Sequence, residues 1–242
     1  METPTRPGPS DVAALLSLLQ REPGRPRITW YGPDGERVEL SGAVLANWVA
    51  KTTNLLLEEL DAAPGTTVRL DLPPHWRTLV WALATWRCGA TVVLGDHPTA
   101  DVVVTTRPRE VGGGTATVGV ALGALARTFG PDLPADAVDG TAVLSYGDVV
   151  GWAPATDPAA DALVCDGPTL THAQLLANAG TAGARVALAA DDLGTVLRRT
   201  LAAWVADGSV VLLDAATGAA LRLDPERRAR LLGPERVDED LV

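Results

Sequence analysis

No stretch of the sequence approaches the roughly 18 consecutive apolar residues of a membrane-spanning helix, so no transmembrane segment is expected. Basic residues gather nowhere. With 30 Asp and Glu against 20 Lys and Arg the net charge is −10, which argues against nucleic acid and anionic membranes as partners. The opening METPTRPGPS lacks the apolar core of a secretory leader and reads as a short disordered lead over residues 1–10. Only two cysteines occur, Cys88 and Cys165, both in apolar segments with no Cys or His close by. That excludes a disulfide framework and predicts reduced core thiols in a cytoplasmic protein. The three histidines, His75, His97 and His172, are far apart and lack carboxylates or cysteines at ligand spacing, so no metal site is expected. There is no G-x-S-x-G, hence no nucleophile elbow, and Ser145 has no histidine near it in sequence.

What is present is a strand and helix alternation. Ser10 can cap a helix through Gln20. Arg27–Tyr31 and Glu36–Leu40 alternate around a Gly-Pro-Asp-Gly turn and predict a hairpin. Ser41 caps a long helix to about Leu60 whose apolar residues share one face. The strands expected next are Thr66–Leu72, Ala90–Gly95, Asp101–Thr106, Thr115–Leu122, Asp161–Cys165, Arg185–Ala190 and Ser209–Asp214. A proline-opened helix, closed by Gly89, follows the first of them. It is apolar nearly all round, from Trp76 to Trp86, and should be buried on more than one side. Residues 123–160 read as a long surface connection with one short strand at TAVLSY and an apolar anchor at Trp152. Helices are expected at Thr171 to about Gly183, from Asp191–Asp192 to Gly208, and at DPERRARLL. Acids at the start of a helix are ordinary caps. The fold class is therefore α/β: a mainly parallel, doubly wound sheet with helices on both faces, preceded by an N-terminal helix and hairpin, in a single domain over residues 11–242. All but the fourth of these strands, Thr115–Leu122, are expected in one core sheet.

Two motifs invite a nucleotide reading. Gly112, Gly113 and Gly114 lead into a β-branched strand, whereas a phosphate cradle leads into a helix N-terminus; a plain loop is expected. In CDGPTLTHAQLLANAG, Thr171 and His172 precede an apolar helix. By itself His172 is a first-turn residue, neutral at pH 7 because the helix dipole disfavours a protonated ring, and its removal should cost little stability.

Four collinear stretches resemble the N-terminal part of the adenylate-forming superfamily of acyl-CoA synthetases, peptide-synthetase adenylation domains and luciferases. They are ITWYGPDGERVELSGAVLANWVAKTTNLL, APGTTVRLDLPPHWRTLVWALATWRCGATVVLGD, GPTLTHAQLLANA, and VLRRTLAAWVADGSVVLLD with Asp224-Pro225-Glu226. The sequence also looks close to a small actinobacterial family of short, truncated relatives. The resemblance implies a glycine-rich phosphate loop just before Thr171-His172, and LVCDGPTLTH leaves no room for it. Asp166, Gly167, Pro168, Thr169, Thr171 and His172 are then the candidate remnant of the nucleotide loop, with no catalytic residue assigned. The superfamily's adenine-binding strand, ribose-binding Asp and C-terminal lid have no counterpart in the sequence.

The reading is a catalytically degenerate relative of these enzymes, a binding or interaction protein. Its cleft would lie at the Cys165–His172 turn, beyond the C-terminal ends of the strands, for a small acyl or nucleotide-like ligand. Two alternatives stand beside it. One is a half-enzyme completed by a partner chain, with ATP and Mg as cofactors; otherwise no cofactor is expected. The other is a self-associating homo-oligomer. Both would use an apolar surface on the helix Asp192–Ala206 around Trp204.

Overall fold

The structure, a computed structural model, describes residues 8–95, 99–111 and 114–242. Most of the expected disordered lead, His97, Gly112 and Gly113 lie outside the described residues. The first helix, α1 (Val12–Leu19), is opened by Asp11 rather than Ser10: the Asp11 carboxylate accepts the Ala14 N–H at 2.8 Å. The hairpin β1 (Pro26–Tyr31) and β2 (Arg37–Ser41) leads into α2 (Gly42–Glu59), where Ser41 is the N-cap. Next come β3 (Thr67–Asp71), α3 (Trp76–Arg87), β4 (Thr91–Val93), β5 (Ala100–Thr105) and β6 (Gly114–Gly119). They are followed by β7 (Val138–Asp139), β8 (Asp161–Val164), β9 (Leu170–Thr171) and α4 (His172–Leu175). The chain continues through β10 (Arg185–Ala189), α5 (Leu193–Val205), β11 (Ser209–Leu213), α6 (Ala215–Leu223), α7 (Pro225–Glu235) and β12 (Glu239–Leu241).

The α/β class with mainly parallel strands and flanking helices holds. The grouping of the strands does not: they form two sheets. A seven-stranded sheet has the order β7-β6-β5-β3-β4-β8-β9, parallel except for β8–β9. A five-stranded sheet has the order β12-β10-β11-β1-β2, parallel except for the hairpin. Thus β10 and β11 pair with the N-terminal hairpin instead of joining β8. Between the sheets lies a helical layer of α1, α2, α3 and α5, and one apolar core runs from Ile28 and Leu212 through Leu55, Trp81 and Leu201 to Val68 and Val104. Period-two alternation explains how a wholly buried strand serves two layers. On β11, Val210 and Leu212 face that core, while Val211 and Leu213 meet Leu221 of α6 and Leu232 of α7.

The helix α3 sits inside this layer. Every residue from Trp76 to Trp86 is buried, and the Trp86 indole donates to the Ala162 carbonyl at 2.7 Å. Its opening differs from expectation. Pro73 and Pro74 precede the helix, and His75 is the N-cap, in extended conformation, its Nδ1 accepting the Arg77 N–H at 3.1 Å. Proline has no side-chain acceptor with which to close that first turn.

Four further expectations are corrected. TAVLSY falls in a 3-10 helix, Gly140–Ser145, and the short strand is the preceding β7. Trp152 is 73% exposed and anchors nothing. The helix expected from Thr171 to Gly183 stops after four residues, because residues 177–183 are all exposed and offer no apolar stripe. Instead the Gly180 and Gly183 amides donate to the Ala202 and Ala206 carbonyls at the end of α5, where Ala202 also accepts the Ala206 N–H. Finally, Trp204 is 1% exposed and donates to the Arg27 carbonyl at 2.9 Å. The outward face of α5 is Thr195, Arg198 and Arg199, so the apolar surface proposed for a partner or a second copy does not exist there. No helix among the described residues is long and apolar enough to cross a membrane.

Candidate functional site

Parallel strands end at a common rim, and helix N-termini point toward it; an open sheet therefore builds its clefts there. A cleft of about 850 Å³ lies at this rim of the larger sheet. Its sides are the exits of β3 (Asp71, Leu72, Pro73), β4 (Leu94, Gly95), β5 (Thr106, Arg107) and β8 (Cys165 to Pro168). Its far wall is the start of α5, with Asp192, Leu193, Gly194 and Arg198. Gly95 has φ +80°, which lets the chain turn sharply out of β4.

The walls combine leucines (Leu70, Leu72, Leu94, Leu170, Leu193) with a few charges. Arg107 is already committed: its Nη2 lies 3.1 Å and 3.3 Å from the Asp71 carboxylate, which also accepts the Thr105 hydroxyl at 2.5 Å. Asp192 caps α5 by accepting the Thr195 N–H at 2.7 Å. Hydrogen bonds from Thr195, side chain and then backbone, hold its carboxyl below the usual range, and the Arg198 charge adds to them. Arg198 makes no ion pair among the described residues. Its guanidinium touches the Cys165 Sγ at 3.6 Å and the Thr195 hydroxyl at 3.4 Å.

Of the candidate residues, Asp166, Gly167 and Pro168 line the cleft. The link from β8 to β9 is five residues long, Cys165–Thr169, and is tightened by a 2.7 Å hydrogen bond from the Gly167 N–H to the Cys165 carbonyl. Thr169 is exposed and outside the cleft. Thr171 caps α4 in a reciprocal box: its hydroxyl accepts the Gln174 N–H at 3.3 Å, and its own N–H donates to the Gln174 side chain at 3.0 Å. His172 points into the protein. It is 6% exposed, and its proton affinity is lowered chiefly by burial, not by a helix of four residues. Its Nε2 is buried without a hydrogen-bond partner among the described residues.

Cys88 is buried and its thiol is pushed up to about 12 by burial. Cys165, expected in the core, is half-buried in the cleft wall. Arg107 and Arg198 escaped the sequence reading. The signal available was positional: both fall within a turn or so of a strand exit or a helix N-cap at the binding rim. Among the described residues no group of three His, Cys, Asp or Glu is placed to hold a metal ion.

The N-terminal subdomain of NpsA from Klebsiella oxytoca, solved with anthranilyl-AMSN, superposes over 98% of this chain and 60% of its own, with a TM-score of 0.64 at 15% identity. The chain has the fold of the N-terminal part of the adenylate-forming enzymes. An acyl-CoA synthetase from Brucella canis shares this adenylate-forming fold over 88% of the present chain and 45% of its own, with a TM-score of 0.63 at 15% identity. A TIGR03089 family protein of Mycobacterium tuberculosis is 45% identical over 106 residues, 43% of each chain. The chain thus spans about half the length of the adenylate-forming synthetases and is matched over less than half of this curated relative. No protein-family model matches the sequence.

Proposed function

We propose that this protein is a non-adenylating, ligand-binding member of the adenylate-forming fold that holds a small acyl or nucleotide-like molecule in the rim cleft. The observation that carries the reading is the unpaired Arg198 at one end of a leucine-walled cleft of about 850 Å³. That volume lies in the range of small-molecule sites. Leucines suit an acyl chain or the face of a base, and a guanidinium suits a carboxylate or phosphate oxygen.

The degenerate side of the reading rests on the β8–β9 link. Phosphate loops work by turning several backbone amides, hydroxyls and an ammonium toward one anion. Here the link is Cys-Asp-Gly-Pro-Thr: Pro168 has no N–H, the Gly167 N–H is spent within the turn, and Thr169 faces solvent. A turn of this size can border a ligand but cannot surround a triphosphate.

Native mass spectrometry of the purified protein, together with ATP–pyrophosphate exchange across a carboxylic-acid panel, tests both halves. The expected result is a bound small molecule, or a titratable acyl or nucleotide ligand, and exchange no faster than a blank. Arg198→Ala should weaken binding about tenfold or more, the loss of one charge-assisted hydrogen bond. Acid-dependent exchange would overturn the degenerate reading, and binding unaffected by Arg198→Ala would overturn the assignment of the cleft.

A further inference from the structure

A second cavity, of about 470 Å³, opens between the two sheets on the other side of Pro73. Its composition is different. The walls are Trp30, the prolines 33, 73 and 74, Leu122 and two alanines, and no Lys or Arg among the described residues lines it. Its ionisable members are Glu36, Asp214 and His75.

Each of these can be followed atom by atom. Both Glu36 oxygens are engaged, one accepting the Trp30 indole N–H at 3.1 Å and the other the Ala124 N–H at 3.2 Å. Asp214 caps α6, its Oδ1 accepting from the Ala216 and Thr217 amides at 3.0 Å and 3.2 Å, while its Oδ2 is buried without a partner among the described residues. His75 is 3% exposed, and its ring meets Trp30 edge-on at a centroid distance of 4.6 Å. Its Nδ1 accepts the Arg77 N–H, so the ring proton sits on Nε2. Burial, and then the Arg77 charge, lower the His75 pKa to about 3, which keeps the ring neutral. Among the described residues Nε2 has no hydrogen-bond partner, yet it is not one of the buried unsatisfied atoms. It therefore reaches the accessible surface, and the surface His75 lines is this cavity.

We infer that this cavity is a second binding site, for an uncharged aromatic carbonyl compound whose oxygen accepts the His75 Nε2–H while its ring lies against Trp30 and the prolines. Two carboxylates, with no Lys or Arg among the described lining residues, disfavour an anion. An aromatic body fits an apolar slot walled by an indole and three prolines. A carbonyl oxygen completes the His75 Nε2–H, which has no partner among the described residues. The site meets the rim cleft only at Pro73 among the described lining residues, and there Arg198 would select an anion.

The test uses 2-acetonaphthone and its anionic counterpart 2-naphthoate as probes, with affinity from tryptophan fluorescence and contact from saturation-transfer and His75 imidazole NMR. The ketone should bind below about 1 mM and shift the His75 Nε2–H resonance, with naphthoate at least about tenfold weaker. His75→Asn keeps a side-chain acceptor for the helix cap but replaces the ring Nε2–H with an amide N–H one bond shorter in reach, so ketone affinity should fall about five- to tenfold. Ala215→Trp, at an exposed position on the cavity wall, should abolish binding with the fold intact. Arg198→Ala should leave ketone binding unchanged, which separates failure here from failure of the rim cleft. No ketone binding by about 1 mM, equal binding of naphthoate, or loss in Arg198→Ala with retention in Ala215→Trp would each overturn the assignment.

Discussion

Two turns at the same rim make a natural pair. Between β3 and α3 the chain runs Leu72-Pro73-Pro74-His75, and a side-chain acceptor on His75 caps a twelve-residue helix of which all but Arg87 are buried. Between β8 and α4 it runs Cys165–Thr171, and the Thr171 box caps only four. The second cap is chemically the better one, satisfying two backbone donors reciprocally. It still starts the shorter helix. Capping decides where a helix begins, and burial of its face decides how far it continues. The helix α3 has tryptophans, leucines and threonines to bury on every side, whereas α4 runs into Ala177–Gly183, which has nothing to offer a core.

The strongest way to break this contrast is Trp81→Ala. If packing sustains α3, the loss should be about 3–5 kcal/mol by urea denaturation; a loss under about 0.5 kcal/mol would place α3 on the surface.

Next is acidification. The folded-state pKa of His75 is depressed to about 3 from 6.5. The unfolded chain therefore binds the extra proton first, and the stability contributed above pH 6.5 drains away as pH falls toward 3. From pH 7 to pH 5 His75 alone should cost about 2 kcal/mol, at ~1.4 kcal/mol per pH unit below 6.5. His75→Asn, which retains a cap, should remove that increment from the pH dependence of unfolding.

A smaller effect is expected at the other turn. Thr171→Ala should cost about 1 kcal/mol as a lost cap, read as a shift in the thermal midpoint. Smallest of all is Thr169→Ala in the same link, exposed and without a hydrogen bond among the described residues; the change should stay within about 0.5 kcal/mol. A larger loss there would mean that the link is held by contacts of its own.

The parts of the fold legible in the sequence were those governed by neighbours along the chain. Ser41 with the spacing of Leu45, Val49 and Leu56 gave α2, the turn at Gly32–Gly35 gave the hairpin, and apolar residues placed nearly all round residues 76–86 gave a helix buried on more than one side. Pairing was not legible. RVALA and DVVVT are equally valine- and alanine-rich, and nothing local says that the first joins β11 and the second β3. The helix α6 was hidden because AATGAALRL has a glycine and little amphipathic contrast, and β12 because an edge strand of three residues carries no period. Trp204 was misread for a related reason: indole N–H groups need a partner, and that partner, the Arg27 carbonyl, is 177 residues away. In the cleft, the turn at Gly167-Pro168 was legible from its own chemistry, while Asp166–Pro168 entered as site candidates only through the superfamily resemblance. Arg198 was not, because its importance comes from which rim α5 approaches.

One feature of the sheet order bears on synthesis. In the smaller sheet β1 sits between β2 and β11, with Ile28 opposite Val210. The larger sheet is complete once Thr171 has been made, but β1 must wait for a partner more than 180 residues downstream. At about 5–20 residues per second on the ribosome, the interval is on the order of 10–35 s. Throughout it the edge of β1 that β11 later covers has no strand partner. The protein is therefore committed to finishing its N-terminal layer last, and a chaperone that recognises exposed strand edges has a defined window in which to act.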